Sequence, residues 1–153
     1  MSENIPQSRL MMGCPAPHVI AHSTKGMIDL TAYESRCASC HGDFGEAVDN
    51  WPVLVVGEGT LGSYDPVKTT GSYWPYASIM YDYIYRAMPF GEAQSLTHDE
   101  TYQIVTYLLF MDDIIDDEFE VNQGNIGTIE LPYRDGFMLP DPRPDAQPIA
   151  GVT

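Results

Sequence analysis

The sequence predicts an all-α domain flanked by two extended arms. Three segments place apolar residues at helical spacing, no strand-helix-strand alternation is present, and the one clear chemical motif, Cys37-Ala38-Ser39-Cys40-His41, closes the first of those segments. These features divide the 153 residues into an N-terminal arm over 1–25, a helical domain over 26–115 and a C-terminal arm over 116–153. There is no internal repeat and no second CxxCH.

The first arm carries Pro6, Pro15 and Pro17 with little periodicity, so it reads as a tail or wrapping segment. From Gly26 to Cys37, Ile28, Ala32 and Tyr33 can share one helical face leading into the motif. Residues 42–73 are rich in Gly, Pro and Asp and read as irregular chain packed over a flat object. A second helix is expected from Pro75 to Ala87, with Ile79, Tyr83, Ile84 and Ala87 as its buried stripe. The third helix has the strongest signal. Thr97 can cap it, Glu100 completes a capping box, and Tyr102, Val105, Leu108 and Leu109 supply its apolar face. Asp112 and Asp113 oppose the helix dipole at its far end, so it should finish between Met111 and Ile114. Beyond Asp116, the acidic run and repeated prolines suggest extended chain.

Composition narrows the partners. A formal net charge of -15, from 22 acidic and 7 basic side chains, argues against nucleic acid and against an anionic membrane surface. It fits a basic protein partner, or serves solubility alone. No stretch approaches the roughly 18–20 continuous apolar residues that cross a bilayer. Met1 to Ile20 also lacks the basic and apolar regions of a secretory signal. Haem attachment of the c type usually takes place outside the cytoplasm, so the expectation is a leader removed or replaced. Cys14 is the odd cysteine, read as a free thiol, a crosslink or an unusual ligand.

CxxCH is the attachment signature of a c-type haem. Two thiols three positions apart can form thioethers to the two vinyl groups of one porphyrin, and the adjacent imidazole reaches the iron. The expectation is therefore one covalently attached haem c, bound by Cys37 and Cys40, with His41 as proximal iron ligand. A redox dithiol, part of a zinc site and an inert pair are the rival readings; zinc would need two further ligands, and no second Cys pair exists.

A six-coordinate iron needs a second axial ligand, and Met88 is the choice among eight methionines. It follows the second helix in Met88-Pro89-Phe90-Gly91, where Pro89 restricts the backbone and Phe90 can shield the thioether from water. Its rival role is a core methionine at a helix end. Met80 and Met111 lie within or at the end of helices, and Met138 lies on the arm. His18 and His22 fall in the tail, and His98 is expected to be solvated in the first turn of the third helix. Trp51, Tyr73, Trp74, Tyr76 and Tyr81 are candidates for the haem wall or equally for the core. Arg86 is a candidate partner for a haem propionate or for a docking protein.

The segment from Arg36 to Ile114 resembles the cytochrome c subunit of periplasmic sulfane dehydrogenase, from the sulfur-oxidising Sox system. The shared residues are Arg36-Cys37-Ala38-Ser39-Cys40-His41-Gly42, Trp51-Pro52, Gly71-Ser72-Tyr73-Trp74-Pro75-Tyr76-Ala77, Asp82-Tyr83-Ile84, Arg86-Ala87-Met88-Pro89-Phe90 and Ser95-Leu96-Thr97. The acidic stretch from Asp117 to Pro132 is similar too. The resemblance implies a class I cytochrome c fold, with 26–115 as a monohaem cytochrome c domain. It carries attachment onto Cys37 and Cys40, proximal ligation onto His41 and distal ligation onto Met88. It further implies a periplasmic electron-transfer subunit, rather than an enzyme by itself, that takes electrons from a molybdenum-containing dehydrogenase subunit and passes them to an electron-accepting cytochrome. Met27, Ile28 and Asp29 look inserted relative to the family, and the chain is short for its two-cytochrome form. A haem subunit of a sulfite dehydrogenase is the near alternative; a haem sensor or peroxidase with an open iron position is the more distant one.

Overall fold

The computed structural model describes residues 28–136. Within them lie five helices: α1 (Thr31–Arg36), α2 (Ala38–His41), α3 (Thr70–Tyr73), α4 (Ala77–Ala87) and α5 (His98–Met111), followed by a single 3-10 turn at Ile126–Thr128. No strand occurs among the described residues; an isolated bridge pairs Tyr76 with Glu130. The all-α expectation therefore holds for them.

α5 is the central element. The Thr97 side chain accepts from Glu100 N–H (3.2 Å), and the Glu100 carboxylate accepts from Thr97 N–H (2.8 Å), which completes the expected capping box. Ile104, Val105, Tyr107, Leu108 and Leu109 are all buried. Burial extends beyond one stripe because α1, α3 and α4 all pack against this helix. Its end at Met111 falls where the sequence places it.

α4 starts at Ala77 rather than Pro75, and its buried stripe is Ala77, Met80 and Ile84. Of the expected stripe Ile84 is buried, whereas Ile79 and Tyr83 are 44% and 47% exposed. Spacings of three, four and seven satisfy helical geometry as well as the stripe expected, and contact with α5 selects the face.

The approach to the motif is broken into two short helices. Asp29 Oδ1 accepts from Thr31 N–H (2.9 Å) at the start of α1, and the backbone leaves helical geometry at Cys37. Ala32 and Tyr33 are buried and Ile28 is partly buried, as the shared-face reading requires. The stretch over 42–73 is not wholly irregular. Thr69 and Ser72 cap α3 reciprocally, and Thr69, Thr70 and Ser72 are buried with their hydroxyls hydrogen-bonded. Asp112, expected only to crowd the end of α5, has a structural role. Its carboxylate accepts from Thr70 Oγ1 (2.8 Å) and Val56 N–H (3.1 Å), tying α3 and the preceding loop to the end of the central helix.

Residues 116–136 wrap back over the helices. Val121 and Leu131 are buried, Val121 N–H donates to Thr106 Oγ1 (3.2 Å), and the 3-10 turn packs on α4. Burying those two side chains contributes about 2 kcal/mol each. The N-terminal arm and residues 137–153 lie outside the described residues, as do Cys14, His18, His22 and Met138. No helix among the described residues is long and apolar enough to cross a membrane.

Candidate functional site

Cys37 and Cys40 lie one helical turn apart, both half-buried and both free thiols. Burial, and then the neighbouring Cys40, push the Cys37 thiol up to about 12 against the opposing pull of Arg36. No group of three or more His, Cys, Asp or Glu side chains is gathered within reach of a shared metal ion among the described residues.

His41 follows at the end of α2, half-buried. Its Nδ1 lies 2.9 Å from the carbonyl oxygen of Pro52. A carbonyl only accepts, so Nδ1 is the donor; in the neutral imidazole Nε2 is then the bare nitrogen, with the ring orientation set by the bond on its other side. This is the arrangement that prepares an imidazole to ligate a metal. Pro52 is delivered by a compact loop in which Ala47 N–H donates to His41 O (2.8 Å), Val48 N–H to Cys40 O (3.0 Å), Trp51 N–H to Val48 O (3.1 Å) and Leu54 N–H to Gly45 O (2.8 Å).

Met88 caps the C-terminus of α4, donating its N–H to Ile84 O (3.1 Å), and its half-buried side chain packs against the core. Met80 is 1% exposed and belongs to the core; Met111 also packs against it at the end of α5. The loop carrying His41 and the loop carrying Met88 meet where the Trp51 and Phe90 rings make an edge contact with centroids 5.6 Å apart. Both rings stay exposed, Phe90 at 77%, so apolar surface stands open between the two loops. Half-buried free thiols, an oriented imidazole, a thioether on the adjoining loop and exposed aromatic rings fit the donor set and apolar walls that a covalently held porphyrin requires.

The other sequence candidates divide. Trp74 is partly buried and meets Tyr83 edge-on (5.4 Å). Tyr73 lies under the Lys68 ammonium, and Tyr76 lies under Arg134 from the C-terminal segment. Tyr81 is engaged elsewhere: its hydroxyl meets His98 Nδ1 at 2.5 Å, and its ring packs 4.5 Å from Tyr102. His98 is exposed but not merely solvated, since it also stacks on Tyr85 at 4.6 Å. Arg86 pairs with Asp82 (2.6 Å), its neighbour one turn back. Sequence reasoning missed the hydroxyls of Tyr33 and Tyr107, which bond the chain just after His41; a polar tip on an otherwise buried helical face was the available signal.

The described residues thus form a small all-α domain with a half-buried CxxCH turn, whose following loop meets the methionine loop through Trp51 and Phe90. No family model and no curated protein matches the chain. Among solved structures it is similar to a chain in the crystal structure of the sulfane dehydrogenase SoxCD from Paracoccus pantotrophus, at 47% identity, a TM-score of 0.72 and 77% coverage of this chain. It spans 59% of the length of that chain. In fold and in sequence the chain is thus similar to a component of that sulfane dehydrogenase.

Proposed function

We propose that this chain is the cytochrome component of a sulfane dehydrogenase-type complex: a monohaem, class I cytochrome c-like subunit that passes electrons singly out of a molybdenum-containing partner during periplasmic sulfur oxidation. When bound, the haem supplies an iron centre that alternates between Fe(II) and Fe(III). Cys37 and Cys40 would hold it by adding their S–H groups across the two vinyls. His41 would present Nε2 from one side and Met88 its thioether from the other, leaving no position open for a small ligand. Trp51 and Phe90 would exclude water from the site, which together with the thioether raises the potential. The likeness to the sulfane dehydrogenase supports the pathway and the partner; the CxxCH sequence supports the haem.

The observation that carries the reading is the His41–Pro52 bond, which engages Nδ1 and leaves Nε2 as the ligating nitrogen of a residue that directly follows two free cysteines. The net charge of -15 suits a basic protein as the next electron carrier, and three arginines, Arg36, Arg86 and Arg134, are already paired within the chain. Met88→Ala tests the axial assignment. It should abolish the thioether-to-iron charge-transfer absorption of the oxidised protein and open the iron to added ligands; unchanged ligation would reject Met88 and leave attachment through Cys37 and Cys40 standing.

A further inference from the structure

The geometry points to Tyr33 and Tyr107 as positioning residues for His41, acting through paired phenol bonds to the chain immediately after it. The two rings come from α1 and α5 and meet with centroids 4.6 Å apart. Tyr33 is 1% exposed and Tyr107 4%. Tyr33 donates its hydroxyl to the Gly42 carbonyl (2.9 Å) and Tyr107 donates to the Asp43 carbonyl (2.6 Å). Two helices distant in sequence thus grip consecutive peptide groups next to the ligand.

Those peptide groups open a loop under conformational load. Gly42 and Gly45 have φ of +80° and +73°, and Ala47 and Asp49 hold φ of +77° and +53° without being glycine. Left-handed backbone at a residue with a side chain costs about 1–2 kcal/mol and persists only where the surroundings over-determine it. At one end of the loop stand the phenol bonds; at the other, Pro52 accepts from His41 Nδ1. Releasing the first end lets the loop relax and carries Pro52 away from the ring. The phenols thereby set the direction in which Nε2 faces, an inference that rests on His41 being the proximal group.

The test is solvent exchange of the His41 Nδ1 proton, followed by 15N NMR in the matured, reduced full chain, for wild type, Tyr33→Phe, Tyr107→Phe and the double variant. Phenylalanine keeps the ring packing and removes only the hydroxyls. The double variant should exchange about tenfold faster than wild type, and each single variant about threefold faster, as expected for the loss of two and one net hydrogen bonds. If the double variant does not fold, the single variants carry the same criterion. Exchange within twofold of wild type overturns the inference. So does an equal acceleration at the buried Leu108 and Leu109 amides of α5, which marks a loss of global stability and a structural role alone. The proton belongs to the polypeptide and is read whether or not a haem is attached. Failure of the haem reading is seen separately, in the mass of the sample.

Discussion

The turn after His41 and the turn after Met88 each deliver one candidate ligand, and the protein holds them by different means. The first is fastened from three directions. Phenols from α1 and α5 bond its opening, the His41–Pro52 bond crosses it, and its exit is tied through Leu54 to Thr70 and through Val56 to Asp112. The second is fastened mainly to itself: Met88 N–H to Ile84 O, Glu92 N–H to Pro89 O and Ser95 N–H to Glu92 O, with Phe90 left exposed. A ligand beside two covalent attachment points gains from a fixed direction. A methionine thioether has rotatable bonds to spare and adapts to the position it must reach. Rigidity sits on the histidine side and adaptability on the methionine side.

Two glycine substitutions sharpen that contrast most. Gly42 has φ +80° and ψ 164°, a region almost confined to glycine, and a Cβ there would collide with the Glu46 carboxyl. That carboxylate accepts from Phe44 N–H (2.8 Å), so moving it breaks a second bond. Gly42→Ala should lower unfolding stability by about 2–4 kcal/mol in denaturant titration. Gly91, at φ +88°, has open space where its Cβ would go. Gly91→Ala should cost only about 1 kcal/mol. Equal losses would erase the distinction between the two turns.

Asp112 breaks the comparison at the far end of the histidine loop. Burial pushes its carboxyl up to about 6, against the Thr70 hydroxyl and the Val56 and Gly71 amides that pull it down; Asp113 adds to the rise. A raised folded pKa means that its stabilising contribution is complete below the usual 3.8 and is lost as pH climbs through about 6. Wild type should therefore lose on the order of 2 kcal/mol relative to Asp112→Asn between pH 4 and pH 7. A stability difference that stays flat with pH would remove Asp112 as the titrating clamp.

Much of the helical frame was legible because its signals are local. Thr97 and Glu100 cap α5 through bonds between residues three apart, and Ala32 with Tyr33 needs only the turn that carries them. The buried face of α4 is legible only in part: Ile84 is buried as its spacing predicts, but only the partner helix selects Met80 over Ile79 and Tyr83. The motif singled out the candidate site residues, but not how they are held. Pro52, Tyr33 and Tyr107 reach His41 and its following turn across 11, 9 and 64 residues, and no local periodicity encodes such contacts. Asp112 was misjudged for the same reason, since its donors lie 42 and 56 residues away.

Attachment of one haem through Cys37 and Cys40 is the claim on which the functional account turns. The direct measurement is the intact mass of the matured chain, taken together with its visible absorption spectrum. The account predicts polypeptide plus one covalently retained haem, with a Soret band that disappears in Cys37→Ser/Cys40→Ser. A mass equal to the bare polypeptide and no Soret absorption in the matured wild type would contradict it.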